Sequence, residues 1–156
     1  MIVGIDPGNT GAIASLDYDG TVKYCFDLPL EQEGNKKIID GFELSRIIID
    51  LKPTCIVLEK VHAMPGQGVT SMFNFGQGYG IIKGTLQSMG HEYELITPQA
   101  WKGLAGLLKT EKDAARIKAI EEFPEAEKFL QRKKDSGRAD AIWIGYYGLK
   151  KYLGEL

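Results

Sequence analysis

Two runs of aliphatic residues in this chain each end in a carboxylate. Residues 2–5 are followed by Asp6, and residues 55–58 are followed by Glu59. A charge at the end of a buried strand loses its hydration, so it must be paired, hydrogen-bonded or bound to a metal ion. If the two strands are neighbours, both carboxylates project at the same sheet edge, where α/β folds usually place their ligands. The runs therefore favour an α/β fold with a polar site at that edge.

The remaining strand pattern predicts a five-stranded mixed sheet flanked by helices. Pro7 and Gly8 force a turn after the first strand, and residues 17–20 form a hairpin turn between the next two. The predicted strands are residues 2–5, 11–16, 21–27, 55–58 and 93–96. The first three form an antiparallel meander, and the later two follow in α/β alternation.

Five helices complete the sequence prediction. Helical spacing of apolar residues begins at Ile38 and runs to Leu51, where Pro53 stops it. A long helix is expected over residues 69–89 despite its glycines, and Thr97-Pro98 starts another. Thr110 and Asp113 suggest a capping box before the fourth helix. The last helix is expected from about residue 139 to 153.

Size and composition point to a single domain, residues 1–156. The length lies within the range of roughly 100–200 residues that is usual for one domain, and 44% of the residues are hydrophobic and 26% charged. No stretch approaches the roughly 18 apolar residues needed to span a membrane, and the N-terminus lacks a leader pattern. We therefore expect a cytoplasmic protein with no membrane partner.

The overall charge of −2 gives no reason to expect a nucleic-acid partner. The charge is unevenly distributed, however: residues 128–138 carry five basic groups and one acid. Residues 1–59 hold five basic and ten acidic groups. The net charge of the whole chain is therefore the sum of an acidic N-terminal region and a basic stretch near the C-terminus.

Two aspartates beside that basic stretch are further candidate ligands. Asp140 opens an apolar helix and shares its face with Trp143 and Ile144, so it points toward the core side. Asp135 cannot share that face, because five helical residues leave the two side chains roughly 140° apart. It must lie on the loop or irregular turn before the helix, and Gly137 favours such a turn. Four acids without histidine or cysteine suit Mg²⁺ or Mn²⁺.

Each acid also has an ordinary alternative explanation. Asp6 before Pro7 can be a turn former, and Glu59 can pair with Lys60 on the surface. Asp140 can be an acid favoured by the helix dipole, and Asp135 can pair with a neighbouring basic residue. Their joint placement at two strand ends and one inward-facing helix start favours a common site.

Four segments of the chain together carry a family resemblance. They read GIDPGNTGAIA (4–14), LEKVHAMPGQG (58–68), TPQAWK (97–102) and RKKDSGRADA (132–141). In this order, across nearly the whole chain, they resemble the RuvC-like Holliday junction resolvases, especially the bacteriophage branch. The resemblance implies a ribonuclease H-like fold and a homodimer that cuts two strands of branched DNA symmetrically.

The resemblance also implies the metal ligands of a two-metal-ion phosphodiester hydrolase. Two divalent ions, Mg²⁺ or Mn²⁺, are expected on Asp6, Glu59, Asp135 and Asp140. In the family the third ligand is Asp or His, three to five residues before the last Asp, and only Asp135 fits that spacing here. One ion would activate the attacking water and the other would stabilise the leaving oxygen.

The basic residues near these segments are the predicted DNA contacts of a crossover junction endodeoxyribonuclease. His62 stands where some relatives carry an aromatic residue that stacks on unpaired bases; a hydrogen-bonded loop histidine is the alternative. A solvated basic face is likewise the alternative for the C-terminal basic stretch. The full predicted set is Lys60, His62, Gln99, Lys102, Arg132, Lys133, Lys134 and Arg138. A phage-encoded protein would act in the cytoplasm of its bacterial host.

Other function classes remain open from the sequence. The turn after Asp6 also occurs in ASKHA phosphotransferases and ATPases, although that class usually duplicates the fold and this chain holds one copy. A ribonuclease H-like nuclease acting on ribosomal RNA precursors is a further alternative, disfavoured by residues 64–68 and 133–135. An intact set of acids disfavours a non-catalytic DNA-binding relative.

Overall fold

A five-stranded mixed sheet forms the centre of the molecule in the computed structural model, which describes residues 1–156. Its strands are β1 (Ile2–Asp6), β2 (Ala12–Leu16), β3 (Val22–Asp27), β6 (Cys55–Glu59) and β7 (Glu94–Ile96). They lie in the order β3-β2-β1-β6-β7. The first three pair antiparallel, and β1, β6 and β7 are parallel. The predicted sheet is therefore confirmed.

A two-stranded hairpin was not predicted. Strands β4 (Leu30–Glu33) and β5 (Lys36–Ile39) pair with each other around Gly34, whose φ of 62° suits a glycine turn. Ile38 and Ile39 therefore belong to a strand, and the prediction that the first helix begins there is wrong. That helix, α1 (Gly41–Leu51), begins after Asp40, whose carboxylate accepts a hydrogen bond from the Glu43 amide at 3.1 Å.

The other helices follow the prediction in type but differ at their starts. They are α2 (Val69–Ser88), α3 (Pro98–Ala105), α4 (Ala114–Glu122) and α5 (Ser136–Tyr152). The capping box is absent: Asp113 binds Arg116 instead, and the Thr110 hydroxyl donates to the Leu107 carbonyl. Gly137 lies inside α5 and not in a turn before it. None of the helices is both long and apolar enough to cross a membrane.

The sheet separates two hydrophobic cores. Val3, Ile5 and Leu58 pack with α1 and α2 on one face. Val57 and the small residues of β2 pack with α3, α4 and α5 on the other face. Because side chains alternate along a strand, Asp6 and Glu59 lie on the α5 side of the sheet.

Helix α5 packs against β1 at backbone-contact distance. A Cβ atom added to Gly4 would lie 2.3 Å from the Gly145 nitrogen and 2.4 Å from the Ala141 carbonyl oxygen. A Cβ on Gly148 would lie 2.4 Å from a methyl carbon of Val57. These positions exclude any side chain, so the glycines set the distance between the helix and the sheet.

We predict that Gly4→Ala destabilises the fold because its methyl group would collide with rigid backbone atoms. Overpacking of this kind typically costs about 1–3 kcal/mol. Gly103→Ala on α3 is the matched control: its Cβ would lie 3.9 Å from Leu108, and it should stabilise the helix by about 0.5–1 kcal/mol. Chemical denaturation measures both changes. Equal stability of Gly4→Ala and wild type would contradict the close contact.

Candidate metal centre and nucleic-acid interface

Three carboxylates from separate elements meet on the α5 side of the sheet. Asp6 ends β1 and Glu59 ends β6, and these strands are parallel neighbours with Ile5 opposite Leu58. Asp140 lies on the second turn of α5, which packs directly on β1. The structure thus brings together three of the four acids that the sequence predicts as ligands.

Burial and mutual repulsion raise the pKa values of these acids. Burial is the main cause of the high pKa of Asp6, and the charges of Asp140 and Glu59 add to it. Burial and the charge of Glu59 raise the pKa of Asp140 to about 7. Burial also raises the pKa of Glu59. Ionising all three at once is therefore costly without a nearby cation.

Lys102 is the one cation whose charge lowers the pKa of all three carboxyl groups. It lies on α3, which begins after Thr97; the Thr97 side chain accepts a hydrogen bond from the Ala100 amide at 3.2 Å. The Lys102 ammonium group lies 5.4 Å from the centre of the Trp101 ring. The predicted helix start is confirmed, and it places this lysine beside the acids.

Trp101 holds one oxygen of Glu59. The indole Nε1 donates to Glu59 Oε2 at 2.6 Å, and the Trp101 side chain is almost completely buried. The Tyr79 hydroxyl donates to the Glu59 backbone carbonyl at 3.1 Å. These bonds orient Glu59 and leave Oε1 available to a ligand. Trp101 is a site residue that the sequence did not distinguish from ordinary packing.

The donor chemistry of this cluster fits Mg²⁺ or Mn²⁺. Carboxylate oxygens are the ligands that these hard ions prefer. As they stand in the structure, no three Asp, Glu, His or Cys side chains are placed to hold one metal ion together. A divalent cation would offset the repulsion among Asp6, Glu59 and Asp140, which Lys102 offsets only in part. The fit therefore rests on the donor chemistry and mutual repulsion of these three carboxylates and not on a ligand shell that is already formed.

Asp135 lies apart from this cluster. It precedes α5 in a short 3₁₀ turn, outside the helix as predicted. Arg132 binds both of its oxygens, with Nη2 2.8 Å from Oδ1 and the Arg132 amide nitrogen 2.9 Å from Oδ2. Its charge is not among those that shift the pKa values of the three clustered acids. The structure thus pairs the carboxylate of Asp135 with Arg132.

A cavity of about 340 Å³ opens beside Asp140, and lysines line it. Gln99 and Lys102, both predicted DNA contacts, form part of its wall. Lys109 and Lys112, from the loop between α3 and α4, line the same cavity and were not predicted. Two lysines in the loop after the helix that the sequence predicted to face phosphates were the signal in the sequence.

A second groove continues this basic surface. Its lining consists of Lys112, Lys133, Lys134 and Ser136 together with the acids Glu111 and Asp113. Lys112, Ser136 and Glu111 also border the first cavity. The volume of the groove is about 520 Å³, and no hydrophobic residue lines it. The two spaces therefore form a connected path of lysines that leads away from the carboxylates.

Arg132 and Arg138 make contacts within the protein. Arg132 binds Asp135, as described above. The Arg138 guanidinium binds Asp27 at the end of β3 at 2.8 Å and donates to the Phe129 carbonyl at 3.1 Å. Both were predicted as DNA contacts, and in the structure their donors hold the segment before α5 in place.

The loop after Glu59 also borders the site. Lys60 and His62 line a cavity of about 250 Å³ together with Pro98, which also borders the cavity beside Asp140. Met72 and Phe75 of α2 form part of the apolar wall. Lys60 and His62 thus lie near the carboxylates but not on the lysine path.

The raised pKa of Asp140 predicts a specific pH dependence of stability. In the metal-free protein the folded state retains the Asp140 proton up to about pH 7, whereas the unfolded chain loses it near pH 4. Unfolding therefore becomes easier as the pH rises through this window. In EDTA, the stability of wild type relative to Asp140→Asn should fall between about pH 4 and 7.

Thermal melts across this pH range measure the effect. Asp50→Asn, an exposed aspartate on α1, is the control and should leave the pH profile unchanged. If the melting temperatures of wild type and Asp140→Asn differed by the same amount at every pH, Asp140 would not be a buried group that titrates in this range.

Comparison with known proteins identifies the fold. No protein-family profile and no curated protein matches the chain. Thermus thermophilus RuvC in complex with a Holliday junction substrate matches with a TM-score of 0.61 and 13% identity, covering 98% of this chain and 95% of that one. A structure of T. thermophilus RuvC matches with a TM-score of 0.59 and 14% identity over 98% and 96% of the two chains.

A third match is the yeast mitochondrial Holliday junction resolvase. Its TM-score is 0.56 and its identity 17%, over 97% of this chain and 79% of that one. The matched regions span nearly all of the present chain. The chain therefore has the ribonuclease H-like α/β fold that is seen in RuvC and in the yeast resolvase.

Proposed function

We propose that this protein is a divalent-metal-dependent, structure-selective DNA endonuclease that resolves Holliday junctions or related branched DNA. The proposal rests on one observation: Asp6, Glu59 and Asp140 cluster beside two connected cavities that are lined by lysines. The shared fold of RuvC, solved with a Holliday junction substrate, supports branched DNA as the substrate class.

The catalytic chemistry requires no side-chain nucleophile. Two Mg²⁺ or Mn²⁺ ions held by the three carboxylates would supply an activated water and stabilise the leaving 3′ oxygen. The protein supplies the geometry: Trp101 fixes Glu59, and the glycine contact of α5 with β1 fixes Asp140 relative to Asp6. Lys102 reduces the repulsion among the acids and lies where a phosphate oxygen would approach them.

The lysine path supplies phosphate contacts on one side of the site. Lys109 and Lys112 follow Lys102, and Lys133 and Lys134 continue the surface. Such contacts hold the strand in register without reading its sequence. With a net charge of −2, the protein depends on these few contacts and not on a general attraction to DNA.

A homodimer would place two such sites on one four-way junction. The exposed face of α2 offers a surface for a second copy. Gly76, Gly80 and Gly84 lie four residues apart with open space above each, and Val69 and Phe73 are strongly exposed near the helix start. A second helix could approach this face closely and cover the two apolar side chains. A two-fold dimer matches symmetric cleavage of two strands.

We predict that Asp6→Asn abolishes cleavage while junction binding remains measurable, because it removes a ligand without adding bulk. The assay uses labelled four-way, forked and linear duplex DNA, with and without Mg²⁺, and a structured RNA as a further substrate. Wild type should cut branched DNA only with Mg²⁺ or Mn²⁺. Asp50→Asn is the control and should cut like wild type.

Several results would contradict the proposal. Cleavage by Asp6→Asn would exclude the metal role of this aspartate, and equal cutting of linear duplex would exclude structure selectivity. Preferential cutting of RNA would favour the alternative of a nuclease that acts on ribosomal RNA precursors. Thermal stabilisation by ATP would favour a phosphotransferase.

We predict that Lys112→Gln weakens junction binding through the loss of a phosphate contact. The slope of log Kd against log salt concentration should decrease by about one. Lys151→Gln is the matched control, because Lys151 lies at the far end of α5 and pairs with Glu94. Fluorescence anisotropy titrations at several salt concentrations measure both. An unchanged slope for Lys112→Gln would remove this lysine from the DNA path.

We predict that Gly80→Arg on the open face of α2 separates the dimer, because its long charged side chain blocks close helix approach. Sedimentation velocity should show wild type as a dimer and the variant as a monomer. Folding of the variant is checked by its circular dichroism spectrum. A dimer that persists in Gly80→Arg would place the interface elsewhere.

A further inference from the structure

We infer that Asp135 is a positioning residue and that Asp6, Glu59 and Asp140 alone supply the carboxylate ligands of this centre. The metal part of this inference rests on the proposed function. The anchoring part does not, because it concerns contacts that exist without metal. Asp135 would hold the start of α5, and through it the position of Asp140.

The carboxylate of Asp135 is already fully engaged. Arg132 contacts Oδ1 through Nε at 3.2 Å and through Nη2 at 2.8 Å, and its backbone amide donates to Oδ2 at 2.9 Å. The Asp135 side chain is only 4% exposed. Binding a metal would require Asp135 to exchange this charge-assisted pair with the half-exposed Arg132 side chain for the ion.

Asp135 is also part of a larger anchor. Arg138 lies 4.0 Å from its Oδ1, and the Arg138 guanidinium reaches Asp27 and the Phe129 carbonyl. Arg138 is on the first turn of α5, Asp27 ends β3, and Phe129 ends a separate 3₁₀ segment, Pro124–Phe129, that follows α4. The network therefore ties the first turn of α5 to two other elements of the fold.

The helix position that faces Asp6 has no room for a fourth ligand. Gly137 precedes Asp140 by three residues and so lies on the same helix face. A Cβ at Gly137 would lie 2.3 Å from the Thr10 carbonyl oxygen and 3.3 Å from Asp6 Oδ2. The glycine allows α5 to press against the turn between β1 and β2. This contact brings Asp140 close to Asp6, and it leaves no room for a ligand side chain at position 137.

The contacts that anchor α5 follow one another along the chain from Arg132 to Asp140. Arg132 holds Asp135, and Asp135 fixes the turn before α5. That turn keeps Gly137 against Thr10, and the next helical turn presents Asp140 to the centre. Breaking the ion pair should therefore loosen Asp140 without removing a ligand.

A double-mutant cycle in EDTA tests the anchor without metal. Asp135→Asn and Arg132→Gln should each lower the melting temperature, and the double variant should be about as stable as either single variant. This non-additivity is the signature of a pair. Additive losses, or no loss from either variant, would overturn the anchoring role.

Mn²⁺ titration calorimetry tests the ligand set. Asp135→Asn and Arg132→Gln should weaken Mn²⁺ binding by the same factor, about tenfold in Kd, the lower end of the effect of supporting residues. Asp140→Asn should abolish measurable binding. Loss of binding in Asp135→Asn but not in Arg132→Gln would make Asp135 a ligand and overturn the inference.

The two experiments separate this inference from the proposed function. If wild type bound no Mn²⁺, the proposed function and the three-ligand set would both fail, while the cycle in EDTA would still decide whether Asp135 anchors α5. If wild type bound Mn²⁺ and cut branched DNA but the cycle were additive, only the anchoring inference would fail.

Discussion

The direct contact between α5 and β1 determines the rest of the site. Gly4 and Gly145 let a helix backbone lie against a strand backbone, and Gly137 repeats this contact at the turn after β1. Side chains at these positions would push the helix away from the sheet. Asp140 would then move away from Asp6, and the two cores on either side of the sheet would have to be repacked.

This closeness has an electrostatic cost that the protein does not remove by itself. Burial and neighbouring negative charges raise the pKa values of Asp6 and Asp140, and Lys102 is the shared cation that opposes the shift. A fold selected only for stability would place apolar residues at these positions. Held together at a sheet edge, the acids are suited to bind a cation, and the same arrangement makes the metal-free protein sensitive to pH.

The sequence predicted those parts of the structure that depend on local patterns. Strand runs that end in Asp6 and Glu59 and the inward helical face of Asp140 identified the clustered acids, and turn residues indicated the meander. The hairpin formed by β4 and β5 was missed because its residues are mostly polar and Ile38 and Ile39 also fit a helical spacing. The bond from Trp101 to Glu59 joins residues 42 positions apart, so no local pattern contains it.

Asp135 shows that the spacing between two acids in the sequence is not enough to identify a metal ligand. The family resemblance predicted a ligand at this spacing, yet Arg132, three residues earlier, binds Asp135 in the structure. The most direct test of the account is anomalous diffraction at the manganese edge from crystals grown with MnCl₂. We predict Mn²⁺ peaks bounded by the carboxylates of Asp6, Glu59 and Asp140, with the Arg132–Asp135 pair intact. A peak at Asp135, or none between these three acids, would contradict it.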